Sequence, residues 1–409
     1  MEKTKITSMC NSENADQYIK IGALYPLTGK FASIGKNCAQ ALELAVDIIN
    51  GYWELSLPLA CSEGLPNLGN KKIKVIIADT EGDTGIGQRE AKRLIVEENV
   101  TALVGAYNSD VTRFASMEAE VLHVPFITPD ASAHSLTQRG FKYFFRTQAE
   151  DVMYTKLFFE LLKDLSTKEN EMFPLAMLSD QSYTSIEGTE SELNYAMKYN
   201  YKITDLEIYS SSEQSLAPQI ERIMASGAEV MIVAQQNLTD AVETVKILKQ
   251  LDYAPEGFLV QDSVYCTPEI IAMLGADSNY IISRLAWAIG VGKEKPLAAK
   301  VNKLYYNKYG DNLSDEGARS FTGLLILAAA INSAGSTKSK AVRESLTRLY
   351  IPGEKLIMPW IGVKFDDNGQ NILADGILGQ MIDGEYKVIW PKKYSETRVL
   401  WPAPKWTER

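Results

Sequence analysis

Short apolar runs alternate along this chain with amphipathic runs, and this alternation limits the possible folds more than any other feature. In the first half, four strand-like runs occur at 18–24, 72–79, 101–105 and 124–128. Runs rich in Val, Ile and Leu that alternate with helices are typical of parallel sheets covered on both faces. The pattern therefore predicts an α/β fold built on a doubly wound sheet.

The second half repeats the pattern, with strand-like runs at 174–180, 228–234, 257–262 and 280–287. Between the two blocks lies the extended, aromatic-rich segment "YFFRTQAED" (143–151), which we interpret as a crossover. A chain of 409 residues exceeds what one compact core usually holds. The two blocks therefore predict two doubly wound lobes.

Composition argues against several classes of protein. The net charge is −10 and no basic stripe occurs, so a nucleic-acid partner is not expected. No apolar run reaches the roughly 18 residues that a membrane span needs. The chain has 4 Cys without a CxxC pair and only 2 His, which disfavours a zinc site, and neither a metal nor a cofactor is predicted. Cys38 and Cys61 could form a disulfide, but free thiols are favoured because only their proximity in sequence supports pairing.

Signatures of enzymes are missing from the sequence. There is no GxGxxG after the first strand, no GxxxxGK[ST] and no GxSxG elbow. The two His, His123 and His134, do not sit near a plausible nucleophile pair. We therefore predict that the protein is not an enzyme.

The first 17 residues read as a disordered polar leader without the apolar core of a signal peptide. One interpretation is a cytosolic protein with a frayed start. The other is an exported protein shown without its signal, in which Cys10 is lipid-modified and tethers the chain to a membrane.

The polar residues that follow the strands are the candidates for binding, because ligands of open parallel sheets bind outside the carboxyl ends of the strands. In the first block the third and fourth strands end in "GAYNSD" (105–110) and "TPDAS" (128–132). In the second block the ends include "LSDQSY" (178–183), "AQQN" (234–237) and "QDSVY" (261–265).

Two readings remain open for each of these candidates. Ser109 could offer its hydroxyl and N–H to an anion at a helix N-terminus, or Ser109 or Asp110 could simply cap that helix. Asp262 could meet a ligand ammonium or lie at the surface, since an unpaired buried carboxylate is costly. Tyr107 and Tyr183 could stack on a ligand or pack an edge.

These motifs, in this order, resemble those of type I periplasmic binding proteins, specifically the receptors of branched-chain amino acid ABC transporters. The resemblance is carried by "IKIGALYPLTGKFASIGKNCAQALELAVDIIN", by the stretch from "VTALVGAYNSD" to "YFFRTQAED" and by the later strand–loop series. It runs from about Tyr18 to Trp390.

The resemblance implies two Rossmann-like lobes joined by three crossovers, with ligand in the cleft between them. Lobe one would comprise 18–147 plus 284–374, and lobe two 148–283 plus 375–409. It further implies an extracytoplasmic or periplasmic receptor that captures an amino acid by hinge closure. The receptor would be a monomer and would deliver its ligand to a membrane permease.

Residue by residue, the resemblance implies an amino-acid clamp. Its carboxylate site falls on Ser109 and on the backbone N–H of Ser132. Its ammonium site falls on the carbonyl of Asp130, the hydroxyl of Ser132 and the carboxylate of Asp262. Tyr183 corresponds to an aromatic residue that covers the ligand from lobe two.

Departures from the family pattern concern the ligand side chain. Asn237 and Ile34 stand where the family has aromatic residues, Asp262 where it often has Glu, and Tyr107 lies beside the predicted site. Amino-acid recognition is expected with a more polar pocket, which puts leucine-type specificity in doubt. The alternatives are a sensory domain of the same fold, a receptor for a carboxylate or small amide, and an amide hydrolase.

Overall fold

The computed structural model describes residues 18–166, 172–210 and 212–409. Its strands are β1 (Tyr18–Tyr25), β2 (Lys72–Asp79), β3 (Ala102–Gly105), β4 (Phe126–Thr128), β5 (Phe144–Arg146), β6 (Leu175–Asp180), β7 (Ile203–Tyr209), β8 (Val230–Ala234), β9 (Gly257–Val260), β10 (Ile281–Leu285), β11 (Tyr350–Pro352), β12 (Gly362–Lys364), β13 (Ile377–Ile382) and β14 (Glu385–Trp390). Its helices are α1 (Ala32–Asn50), α2 (Thr84–Val96), α3 (Ser109–Val121), α4 (Asp151–Leu165), α5 (Tyr183–Lys198), α6 (Ala217–Ala225), α7 (Leu238–Gln250), α8 (Pro268–Leu274), α9 (Pro296–Tyr309), α10 (Asp315–Ala334) and α11 (Ser339–Arg348). The predicted leader at 1–17, with Cys10, lies outside the described residues.

The first lobe is built on a five-stranded parallel sheet in the order β2-β1-β3-β4-β5. Alternate residues of β1 enter different cores. Ile19, Ile21 and Ala23 pack with residues of α1 and α10, whereas Leu24 belongs to a separate cluster with residues of α2 and α3. Helices therefore cover both faces of this sheet, as the apolar strands predict.

The second lobe is built on a seven-stranded sheet in the order β14-β13-β10-β9-β8-β6-β7. Strands β6 to β10 run parallel to one another, and β13 and β14 add an antiparallel edge next to β10. The sequence pattern failed to predict β7 and α8. In β7 polar residues interrupt the apolar run and the strand lies half-exposed at the edge, so it lacks the signal of a buried strand.

The chain passes between the two sheets three times, after β5, after β10 and before β13. The fold is the predicted pair of doubly wound lobes. The predicted boundary after residue 283 needs a correction, because β10 pairs with β13 through Leu285 and so belongs to the second sheet over its whole length. The segment predicted as a plain crossover also contains β5, which pairs with β4.

Among the described residues, no single helix combines the length and hydropathy needed to cross a bilayer, although α10 and α11, bent by 110°, meet that criterion as a pair.

Arg146, at the end of β5, fastens the first crossover to the rest of lobe one. Its side chain is completely buried and donates to the carbonyl of Ala133 at 2.5 Å and to Gln370 Oε1 at 2.5 Å. It also donates to Glu150 Oε2 at 2.8 Å and to Thr137 Oγ1 at 3.2 Å. Because Gln370 precedes the third crossover, one guanidinium joins two of the three connections to the turn that follows β4.

We expect Arg146→Met to lower the free energy of unfolding by about 3–5 kcal/mol, because removing one partner of a buried ion pair leaves Glu150 and several carbonyls unsatisfied. Urea denaturation measures this loss. Lys156→Met is the matched control, since it breaks an exposed ion pair of the i,i+4 type with Glu160 and should change stability by less than about 0.5 kcal/mol. Equal stability of the two variants would contradict the role assigned to Arg146.

Candidate functional site

A cavity of about 320 Å³ lies between the two lobes. Lobe one supplies residues from the segments after β1, β3 and β4 and from the start of α10. Lobe two supplies residues from the segments after β8 and β9, from the start of α5 and from β10. The carboxyl ends of both parallel sheets thus face one cleft, which is where ligands of this architecture bind.

Ser109 is the first residue of α3, and it lines the cavity while only 5% exposed. The residue at the capping position is Asn108, whose side chain makes no capping hydrogen bond. The Ser109 hydroxyl instead accepts from the N–H of Ala133 at 3.3 Å. The alternative role of Ser109 or Asp110 as a helix cap is therefore wrong, and Ser109 joins the two stretches that sequence reasoning placed side by side.

Asp130 lines the cavity, but its carbonyl already has two donors. Arg319 Nη1 donates to it at 3.1 Å and Gln148 Nε2 donates to it as well. Its carboxyl accepts from the Tyr25 hydroxyl at 3.0 Å. Burial raises the pKa of Asp130 to about 7, and the nearby Arg319 guanidinium opposes that rise. A ligand ammonium at this carbonyl would therefore compete with two protein donors.

Ser132 lies in the same turn and also lines the cavity. Its hydroxyl accepts from Arg284 Nη2 at 3.1 Å, and its carbonyl accepts from the N–H of Asp151 at 3.0 Å. Since Arg284 lies on β10, Ser132 is a point where lobe one touches lobe two.

Asp262 follows β9 and is 3% exposed, so the alternative of a surface carboxylate is wrong. Gln236 Nε2 donates to Asp262 Oδ1, while Oδ2 has no hydrogen-bond donor. Burial raises the pKa of Asp262 well above its ordinary value, and the Arg284 guanidinium opposes the shift. An unpaired buried carboxylate lining a cleft is suited to a cationic group.

Three further predicted residues line the cavity. Ile34 presents a buried apolar side chain from α1. Asn237 is an N-cap, with Oδ1 accepting from the N–H of Thr239 at 2.8 Å. Tyr107 adopts a positive φ of 77°, and its hydroxyl lies 3.2 Å from Ser263 Oγ of lobe two. The structure thus brings seven of the eight predicted residues to one cleft: Ile34, Tyr107, Ser109, Asp130, Ser132, Asn237 and Asp262.

Tyr183 is the predicted residue that the structure does not place in the cavity; its neighbour Thr184 lines it instead. Tyr183 is 37% exposed, its hydroxyl lies 2.6 Å from Ser135 Oγ, and Arg113 stacks on its ring at 4.5 Å. Both partners belong to lobe one. The ring thus lies at the rim and bridges the lobes.

Sequence reasoning missed Arg284 and Arg319 and did not single out Gln236 within "AQQN"; all three line the cleft. Arg284 interrupts an apolar strand, and a buried arginine usually has a specific partner. Arg319 follows Asp315 by one helical turn and pairs with it at 3.1 Å. A charged residue inside an apolar run is the sequence signal that could have revealed these two arginines.

The cysteines of the described residues do not line the cleft. Cys38 and Cys61 are free thiols, which confirms the favoured expectation, and Cys266 is also free. Within the described ranges, no group of three or more His, Cys, Asp or Glu residues is arranged to hold a metal ion.

Comparison with known proteins agrees with this architecture. The family model described as periplasmic binding protein matches residues 18–384. The Leu/Ile/Val-binding protein homolog 7 of Brucella suis biovar 1 (strain 1330) is 23% identical over 393 residues, which cover 94% of each chain.

Solved structures share the fold at low identity. The branched-chain amino acid transporter substrate-binding protein LivJ of Streptococcus pneumoniae, in complex with isoleucine, superposes with a TM-score of 0.73 at 19% identity and covers 91% of this chain and 100% of its own. A solute-binding protein of an ABC transporter from Rhodopseudomonas palustris BisB5, in complex with 3,4-dihydroxybenzoic acid, gives a TM-score of 0.72 at 15% identity, with 90% and 95% covered. With a family match that spans both lobes, this chain belongs to the periplasmic binding protein family.

Proposed function

We propose that this protein is the extracytoplasmic solute-binding receptor of an ABC importer and that it captures an amino acid or a close analogue in the interlobe cleft. The observation that carries this proposal is the pairing, in one cavity, of the N-terminus of α3 with the buried carboxylate of Asp262. The first favours an anion and the second a cation, so together they suit a zwitterion.

The carboxylate of the ligand would lie at the mouth of α3. There the unpaired N–H groups of the first helical turn favour negative charge, and the Ser109 hydroxyl and the N–H of Ser132 lie nearby. The ammonium would lie against Asp262 and the hydroxyl of Ser132. The carbonyl of Asp130 contributes less than its sequence position suggests, because Arg319 and Gln148 already donate to it.

The remaining walls would contact the ligand side chain. Apolar contact is available from Phe31, Ile34, Leu238 and Val264, and polar contact from Lys30, Thr239 and Glu269. This mixture favours a side chain that is longer or more polar than leucine. It supports the predicted departure from leucine-type specificity.

Contacts between the lobes on both sides of the cavity support capture by closure. Ser33 Oγ donates to Glu269 Oε1 at 2.8 Å, and the N–H of Ser135 donates to Glu187 Oε2 at 3.1 Å. A ligand that touches both lobes would favour the closed arrangement over an open one, because its differential contacts shift the population.

The proposal extends to a membrane permease as partner, a monomeric receptor and a periplasmic or other extracytoplasmic location. Cys10 as a lipid anchor stays a prediction, and it falls outside the described residues. The family is one of solute-binding receptors rather than of enzymes, which supports the expectation that the protein has no catalytic role.

A second candidate ligand class is a carboxylate without an amine. Arg284 favours it, because this guanidinium lines the cleft. The similar fold of the Rhodopseudomonas palustris protein bound to 3,4-dihydroxybenzoic acid is compatible with such a ligand.

A thermal-shift screen separates the two classes, because a ligand that binds only the folded protein stabilises it by mass action. We expect several L-amino acids to raise the melting temperature. Benzoates without an amine and amines without a carboxylate should raise it less, since each leaves one buried partner unpaired. If benzoates alone stabilise the protein, the second candidate replaces the first. If no solute binds while an added amide is hydrolysed, the receptor proposal fails.

Removing the polar group at either end of the clamp, a hydroxyl at Ser109 and a charge at Asp262, should weaken amino-acid binding. We expect Ser109→Ala and Asp262→Asn each to cost about 1–3 kcal/mol of binding free energy, measured by isothermal titration calorimetry. The control is Asp367→Asn, which changes an exposed carboxylate in the turn before the third crossover. Unchanged affinity in both site variants would refute the assigned clamp.

Two variants of Tyr183 distinguish a contact at the rim of the cleft from a contact with the ligand. Tyr183→Phe keeps the ring but removes the hydrogen bond to Ser135, so we expect it to weaken binding by about 0.5–1.5 kcal/mol through a less stable closed form. Stacking on the ligand predicts no loss for Tyr183→Phe and a large loss for Tyr183→Ala. Tyr350→Phe, at a residue 62% exposed, is the control for calorimetry.

A further inference from the structure

Behind the cleft, lobe two contains a second buried carboxylate, Glu192 of α5. Its exposure is 0%, and neither of its oxygens has a hydrogen-bond partner. Asp262, which lines the cleft, likewise has no donor at Oδ2. All three oxygens are almost completely inaccessible to water. Glu192 therefore lacks the partners that buried charges normally have, and Asp262 has a donor at only one of its two oxygens.

The packing of α5 brings Gly188, one helical turn before Glu192, against the segment that bears Asp262. At Gly188 the helix approaches so closely that an added Cβ would lie 3.2 Å from Gln261 Cγ. Glu192 follows Gly188 by four residues, hence on the same face of the helix, and Asp262 follows Gln261. The electrostatic effect of Asp262 on Glu192 is in keeping with this proximity, since it raises the Glu192 pKa further after burial has raised it.

The charged groups around this pair supply too little positive charge. The charges that act on Asp262 come from Arg284 of β10, Asp180 at the end of β6 and Asp151 of α4. Those that act on Glu192 come from Asp262, Asp151 and Arg284. Arg284 is the cation among these groups, and it already lies 3.3 Å from Asp151 Oδ1 and donates to Ser132 and to the carbonyl of Gln261. The positive charge of Arg284 is therefore already paired with Asp151.

Two ionised carboxylates cannot share this buried site without a further cation, because burial and like charge both favour the protonated form. We propose that Asp262 and Glu192 titrate as a coupled pair that holds a proton in the unliganded receptor, and that binding of the ligand ammonium at Asp262 expels it. This inference rests on the proposed function. It adds a coupling between amine recognition and pH.

The step balances in atoms and charge. The O–H bond of the Asp262 carboxyl breaks and its proton passes to solvent. The ammonium N–H of the ligand then donates to the resulting carboxylate. The pair goes from one negative charge to two, and the positive charge of the ligand offsets the charge gained. Binding should therefore strengthen as pH rises through the pKa of the pair, by up to about tenfold per pH unit.

Calorimetry in buffers of different ionisation enthalpy counts the protons exchanged. The probes are L-isoleucine, L-glutamine and L-lysine, titrated into the full chain in phosphate and in Tris at several pH values between about 5 and 8. We expect up to one proton to be released per amino acid bound. Equal heats in both buffers at every pH, with normal binding, would overturn the proposal.

Glu192→Gln tests the coupling itself. Removing the neighbouring carboxyl makes ionisation of Asp262 easier, so the pH at which affinity levels off should move to lower values, and fewer protons should be released at a given pH. Glu190→Gln, at an exposed position of the same helix, should behave as the wild type. A Glu192→Gln profile that matches the wild type would also overturn the pair. The absence of heat with all three probes would instead count against the proposed function.

Discussion

The buried guanidinium of Arg146 is the interaction on which the rest of the cleft depends. Burial lowers the pKa of Arg146, and the carboxylate of Glu150 opposes this shift most. The charge is tolerated because carbonyls, amides and Glu150 surround it on all its donor positions. These partners come from the turn after β4, from the start of α4 and from the segment before the third crossover. Lobe geometry and site geometry are therefore fixed by the same contacts.

That anchoring divides recognition between the lobes. In lobe one, Ser109 and the turn at 130–133 are held by Ala133, Gln148 and Arg319, so the proposed carboxylate site would be formed before a ligand arrives. A site held in this way loses little conformational entropy on binding. Lobe two adds Asp262 and the side-chain wall. In the proposed mechanism those groups would reach the ligand only when the lobes approach each other, and closure would complete the site.

The sequence was informative wherever local pattern and topology agree. Neighbouring parallel strands end at the same edge, so the proximity of Ser109 to Ser132 could be inferred from strand order. The rim position of Tyr183 could not be inferred from strand order, because this position depends on how far lobe two rotates over lobe one. Strand β7 escaped detection because its half-exposed edge position imposes no apolar run. Arg284 and Arg319 were missed because their partners lie far away in sequence.

The buried carboxyls of lobe two outnumber the cations beside them, and this imbalance would affect the free energy of closure. Bringing the lobes together without a cation encloses Asp262 in a site where its charge is poorly compensated, which disfavours the closed form at pH values that would ionise it. A bound ammonium removes that penalty and makes contacts of its own. If Asp262 binds the ligand ammonium as proposed, the same carboxylate would oppose closure on an empty cleft and favour closure on a cationic ligand. Selectivity and conformational change then share one electrostatic cause.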